Sequence, residues 1–116
     1  MTDETSPRVT IELGQLTIRS SRQQDEHVVA LFGEFDLGGV EAAQEEIRRV
    51  EQTDAGRIII DLSGLQFMDS SGLHALLELD ARSHTNGNRV VFLRGGPTVQ
   101  RLLEITDTEG RLCFLD

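Results

Sequence analysis

A single α/β domain, a mixed β-sheet flanked by helices, is what three features of the sequence predict. Apolar and polar residues alternate near the amino terminus, as in strands exposed on one face. The stretch RIIIDL at 57–62 has three consecutive isoleucines, as in a strand covered on both faces. Three later segments repeat their apolar residues at steps of three and four, the period of amphipathic helices. A chain of 116 residues is one domain in length and buries roughly two-thirds of its surface.

The domain is expected over residues 9–116, behind a disordered tail of residues 1–8 in which Met1 and Pro7 are the apolar side chains. Val9, Ile11 and Leu13 alternate with Thr10 and Glu12, and after Gly14 and Gln15 the period resumes from Leu16 to Arg19, giving one or two half-exposed strands. HVVALFGEF at 27–35 predicts a more central strand, which Asp36 to Gly39 break. Val40, Ala43, Ile47 and Val50 then form the apolar stripe of a first helix, with Glu41, Glu45, Arg48 and Arg49 between them. RIIIDL belongs near the middle of the sheet.

A second helix is predicted from Ser70 to Ser83 with Leu73, Leu76, Leu77 and Ala81 inward, followed by a turn at Asn86, Gly87 and Asn88. RVVFL at 89–93 is another buried strand. Gly95, Gly96 and Pro97 open a third helix, with Val99, Leu102, Leu103 and Thr106 inward, and RLCFL at 111–115 is a short last strand.

Charge narrows the function. Twenty acidic residues against eleven basic ones leave a net charge of −9, which repels duplex nucleic acid and anionic lipid at long range. All eleven basic residues are arginine, so devices built on lysine are excluded: the P-loop, Schiff bases and Ser-Lys dyads. One cysteine, Cys113, forms no intrachain disulfide; the amino terminus is unlike a signal peptide; and no apolar run reaches the roughly 20 residues that span a bilayer. A cytoplasmic location without membrane insertion is expected. His27, His74 and His84 are the conventional bases. His74 follows Ser70 by four residues, but no Gly-x-Ser-x-Gly elbow accompanies them, so no enzyme activity is expected. No Cys/His pair has zinc spacing and no phosphate-cradling glycine motif stands at a strand-to-helix turn, so neither metal nor cofactor is expected.

DLSGLQFMDSSGLHALLEL, from Asp61 to Leu79, lies where a central strand ends and a helix begins, the end of an α/β sheet where ligands and partners meet. Asp69 is a helix cap for the amide of Ser71 or Gly72, which puts Ser70 and Ser71 in the first turn. Gly72 costs the helix about 1 kcal/mol against alanine, which argues for a close backbone approach, by the sheet or by a partner. First-turn serines are ordinary capping residues on type alone. They are also places where a phosphate, adding about −1.5 to −2 charges, leaves the helix intact because its positive end favours an anion. Spacing alone does not choose between Ser70 and Ser71. Phe67 is assigned to the core beneath the loop; Met68 is core or the apolar centre of a docking patch. Asp36 caps the first helix or touches the partner.

GEFD (33–36), IIIDLSGLQFMDSSGL (58–73) and PTVQRLLEI (97–105), in that order, resemble STAS domains, and bacterial anti-sigma factor antagonists in particular. Asp-Ser-Ser-Gly after an LSGL bend is the specific part. The resemblance implies a partner-switching cycle. The dephosphorylated antagonist binds an anti-sigma factor that is also an ATP-dependent serine kinase, and so releases the sigma factor. The kinase phosphorylates the first serine of the motif, here Ser70, and a serine phosphatase resets it. The candidate partner surface is Asp36, Met68, Asp69, Ser71, Gly72 and His74. The sequence departs from the pattern at Leu37, Gly38 and Gly39, and at Asp107 and Thr108. The competing reading is a STAS scaffold or transporter-accessory subunit that binds proteins without a sigma cascade.

Overall fold

The computed structural model describes residues 8–115, so the expected tail, apart from Arg8, and Asp116 lie outside the described residues. In chain order the elements are β1 (Arg8–Leu13), β2 (Leu16–Gln23), β3 (Glu26–Phe35), α1 (Leu37–Glu51), β4 (Arg57–Met68), α2 (Ser70–Thr85), β5 (Val90–Leu93) and α3 (Pro97–Ile105), then a 3-10 turn at Glu109–Arg111. The strands form one sheet in the order β1-β2-β3-β4-β5. The first two pairings are antiparallel, made by tight turns, and the last two are parallel, made by helical crossovers. The predicted mixed α/β sheet is therefore the observed one.

Sequence period maps onto burial. Leu16, Ile18 and Ser20 on β2, and His27, Val29 and Leu31 on β3, alternate inward, while Ile58, Ile59 and Ile60 are all buried and leave β4 no solvent-facing side there. Helices α1 and α2 pack on each other, α1 against β1 and β3 and α2 against β4 and β5, while α3 lies on β4. Phe35 and Phe92 are among the largest fully buried side chains; each contributes roughly 1.5–3 kcal/mol by leaving water.

Five expectations are corrected. β4 does not stop at Leu62 but continues to Met68. The β3–β4 register steps from Ala30↔Asp61 to Phe32↔Gly64, and from Gly33↔Leu65 to Glu34↔Phe67, so β4 carries one extra residue at each step. Each bulge moves the inward face by one position, which is why Leu62, Leu65 and Met68 are all buried at steps of three. Phe67 consequently faces out, 43% exposed, and Met68 faces in, 3% exposed, the reverse of the assignment made for Phe67. In α2, Ala81 is exposed, and the inner stripe continues through Leu79, Asp80 and Ser83. Thr106 is exposed as the residue after α3, its hydroxyl donating to the carbonyl of Leu102 at 2.7 Å, and 111–115 makes a single bridge, Phe92↔Phe114, in place of a strand.

One buried polar cluster lies between the sheet and α1. His27 (2% exposed) meets the Ser20 hydroxyl through Nε2 at 2.7 Å, and Glu46 (4% exposed) accepts two hydrogen bonds from Arg49, at 3.0 and 2.6 Å. The Ser20 hydroxyl also lies near enough to the Glu46 carboxylate to favour its charged form. The consistent proton arrangement has Nε2–H donating to Ser20, with the lone pair of His27 Nδ1, which has no partner, left bare. A second imidazole proton would be a buried donor without an acceptor. Burial, with the charges of Arg49 and Arg22, lowers the His27 pKa below its usual 6.5 despite the opposing charge of Glu46. Burial pushes the Glu46 carboxyl up, but the hydrogen bonds and charge of Arg49, with the nearby Ser20 hydroxyl, outweigh it and hold it below 4.5.

The sign for His27 follows from proton counting. Between its lowered folded value and 6.5 the unfolded chain binds more protons than the native one, so this contribution is complete above 6.5 and is lost as pH falls through that window. The contribution of Glu46 is lost only at lower pH, below 4.5. Urea unfolding at a series of pH values is expected to show stability declining below 6.5, and His27→Gln is expected to remove that decline. An unchanged slope in the variant would refute the assignment.

Candidate functional site

Strands β3 and β4 run parallel and end together at Phe35↔Met68. Each is followed at once by an aspartate that caps the next helix. Asp36 accepts from the amide of Gly38 at 3.0 Å and Asp69 from that of Gly72 at 3.0 Å, both with extended backbone. The Asp69 amide is itself held by the Phe35 carbonyl at 3.2 Å. Two helix amino termini therefore stand side by side at the carboxyl edge of the sheet, both presenting unpaired amides and positive dipole ends.

Ser70 is the first residue of α2 and is exposed; Ser71 is half-buried. Leu37, the first residue of α1, is 73% exposed. With Val40, Ser71 and His74 these residues line an open depression of about 480 Å³ whose floor is largely apolar. His74 stands one turn after Ser70, and its Nε2 is 3.2 Å from the Glu78 carboxylate. No arginine lines the depression.

Gly72 shows which neighbour required it. A Cβ at this position would lie 2.6 Å from the Phe35 carbonyl oxygen and 2.9 Å from Met68 Cγ, so the close approach is made by the sheet. Gly72→Ala gains about 1 kcal/mol of helix propensity, yet it collides with a backbone oxygen already bonded to Asp69, and overpacking of this kind costs about 1–3 kcal/mol. A net loss of stability in chemical denaturation is expected; a stabilised variant would refute it.

The six candidate partner residues thus separate. Ser71 and His74 line the depression; Asp36 and Asp69 are half-buried and engaged as caps; Met68 and Gly72 are buried and shape the site from below. Met68 is corrected from a docking residue to part of the core. Sequence reasoning passed over Leu37 and Val40 as site residues. Their signal was an exposed leucine directly after a cap, three positions before the first residue of the apolar stripe.

The arrangement suits addition of an anion more than covalent catalysis. A phosphate on Ser70 would lie over the amides of the α2 amino terminus, where the helix dipole favours it. Among the described residues no group of three or more His, Cys, Asp or Glu is placed to hold a metal, and no helix is long and apolar enough to cross a membrane.

At the other end of the β4–β5 pair, a polar cleft of about 530 Å³ holds Arg48, Arg82 and Arg89. Arg82 pairs with Glu51 at 3.1 Å. Arg89 is spent on the backbone, donating to the carbonyls of Glu51, Thr53 and Ala55 at 2.7–3.1 Å and so closing the carboxyl end of α1 and the loop after it.

The STAS domain family model matches residues 18–112. The anti-sigma F factor antagonist of Lysinibacillus sphaericus is 32% identical over 80 residues, covering 68% of this chain and 68% of its own. Two solved structures share the fold. The anti-sigma factor antagonist SpoIIAA in its unphosphorylated form has a TM-score of 0.64 at 22% identity, covering 95% of this chain and 89% of that one. The Bacillus cell fate determinant SpoIIAA in the phosphorylated form has a TM-score of 0.59 at 22% identity, covering 95% and 92%.

Proposed function

This chain belongs to the STAS family, and from that premise we propose that it is an anti-sigma factor antagonist switched by phosphate at Ser70. In its dephosphorylated form it binds an anti-sigma factor that is also a serine kinase, and the sigma factor is released. Transfer of the γ-phosphoryl group of ATP to the Ser70 hydroxyl ends that contact, and a serine phosphatase restores it. The antagonist itself is a non-enzymatic binding module. The partner surface is the depression with Ser71, His74, Leu37 and Val40, and Asp36 and Asp69 hold the two helix starts in place around it.

The observation that carries this reading is the exposed Ser70 side chain on a capped helix start beside an open apolar depression. The relatives named anti-sigma factor antagonists support it, and the existence of both phosphorylated and unphosphorylated SpoIIAA structures supports the switch. Capture of a partner from a bacterial lysate with and without ATP, followed by mass spectrometry of Ser70 and Ser71, tests it. The expected result is a kinase-type partner retained without ATP, and phosphate on Ser70 with loss of the partner when ATP is present. A stable complex indifferent to ATP, with both serines unmodified, would favour the scaffold reading instead.

A further inference from the structure

β1 is an edge strand of six residues, RVTIEL, without proline or bulge, and among the described residues no segment pairs with its outer side. Such an edge is a template for another strand. The direction of its free backbone groups follows from the hairpin. Leu13 and Leu16 flank the two-residue turn Gly14-Gln15, where Gly14 has φ +61°, and in a hairpin of this length the flanking pair exchanges both hydrogen bonds. Alternation then directs the N–H and C=O groups of Leu13, Ile11 and Val9 at β2. Those of Glu12, Thr10 and Arg8 point outwards.

An incoming strand must bond those three residues, and its side chains must match. A second copy of β1, antiparallel and centred on Thr10, meets both conditions. Thr10 faces Thr10 and Arg8 faces Glu12 twice, all as hydrogen-bonded pairs, while Val9 faces Ile11 twice as the closer, non-bonded pairs. Arg8, Thr10 and Glu12 are exposed on one face; Val9 and Ile11 are half-buried on the other, where Ile11 joins the core. Shifting the register by two residues in either direction keeps the hydrogen bonds possible but loses both Arg–Glu pairs. The sequence around Thr10 is thus charge-complementary to itself under a two-fold axis, the symmetry of an isologous dimer.

We propose that two copies of this chain associate through β1, joining their sheets into one of ten strands. The contact is small and belongs to the weak class of interfaces. It lies at the sheet edge beyond β2 and β3, whereas Ser70 starts the helix that follows β4 and packs on β4 and β5; Leu37 and Val40 start α1, which packs on β1 and β3.

Sedimentation of the full chain from about 10 µM to about 1 mM, the range suited to a small interface, is expected to show the mass rising from one copy towards two. Thr10→Pro removes the central outward N–H, which an edge strand tolerates, and is expected to abolish the rise. Arg8→Glu or Glu12→Arg places like charges opposite each other twice and is expected to weaken association about tenfold or more. The double exchange Arg8→Glu/Glu12→Arg restores both pairs and is expected to recover it, and mixing the two single variants is expected to give a mixed dimer. A wild-type chain that stays monomeric throughout, or a dimer indifferent to the single reversals, would overturn the proposal. So would a double exchange no better than the singles.

Discussion

Phosphorylated at Ser70, the protein is expected to bind the proposed anti-sigma partner roughly 10²–10³-fold more weakly than the Ser70→Ala variant does. The magnitude comes from the surroundings of the hydroxyl. At an effective dielectric of about 20, one like charge at about 4 Å costs about 4 kcal/mol, close to three decades of affinity. The depression lacks any arginine to neutralise the added charge, and Leu37 and Val40 would have to bury against a hydrated anion. The fold itself should not respond, because the α2 amino terminus favours the anion. Ser70→Asp carries about half the charge of a phosphate and is expected to lose at least about tenfold. Titration calorimetry with the purified partner measures both. Equal binding of Ser70→Ala and Ser70→Asp, with unchanged melting of each, would show that the contact is not gated by charge at this position.

Arg89→Met is expected to be the most damaging single change outside the apolar core, destabilising the chain by about 2–3 kcal/mol. Methionine keeps most of the stem but removes every donor to the carbonyls of Glu51, Thr53 and Ala55. The Glu51 side chain then keeps Arg82 alone at that end of α1. For a domain of this size the loss corresponds to a fall of roughly 10–20 °C in melting temperature. Arg48→Met, in the same cleft, serves as the control and is expected to stay within about 0.5 kcal/mol of wild type. Arg89 lies at the opposite end of the β4–β5 pair from Ser70, so a still-folded Arg89→Met chain should bind its partner normally. Equal effects of the two substitutions would mean that the backbone bonds of Arg89 contribute little.

Period and punctuation made much of this architecture readable before any coordinates. The triple isoleucine predicted a strand covered on both sides. The change from a step of two to steps of three and four marked α1, and Pro97 marked the start of α3. Residues whose roles depend on partners distant in sequence were harder. His27 stood only as one of three conventional bases and Glu46 carried no signal, but Ser20 and Arg49 turn them into a buried network. Arg89 carried no local sign of three carbonyl partners 34–38 positions away. Sequence alone places Phe67 in the core and leaves Met68 between core and docking patch, because a period of two cannot announce a bulge. At the candidate site, Asp69, Ser70 and Gly72 were visible as cap, first turn and close approach. The depression was not, because it needs the start of α1 beside that of α2.

The two extra residues in β4 cancel as a pair. The strand leaves the sheet in the same phase in which it entered, and only that phase points Asp69 at its helix and Ser70 at the solvent. Length variation between Asp61 and Met68 is therefore tolerable in even steps alone. A one-residue deletion there would be a frame error in space, turning the end of the strand inside out while leaving every downstream codon intact.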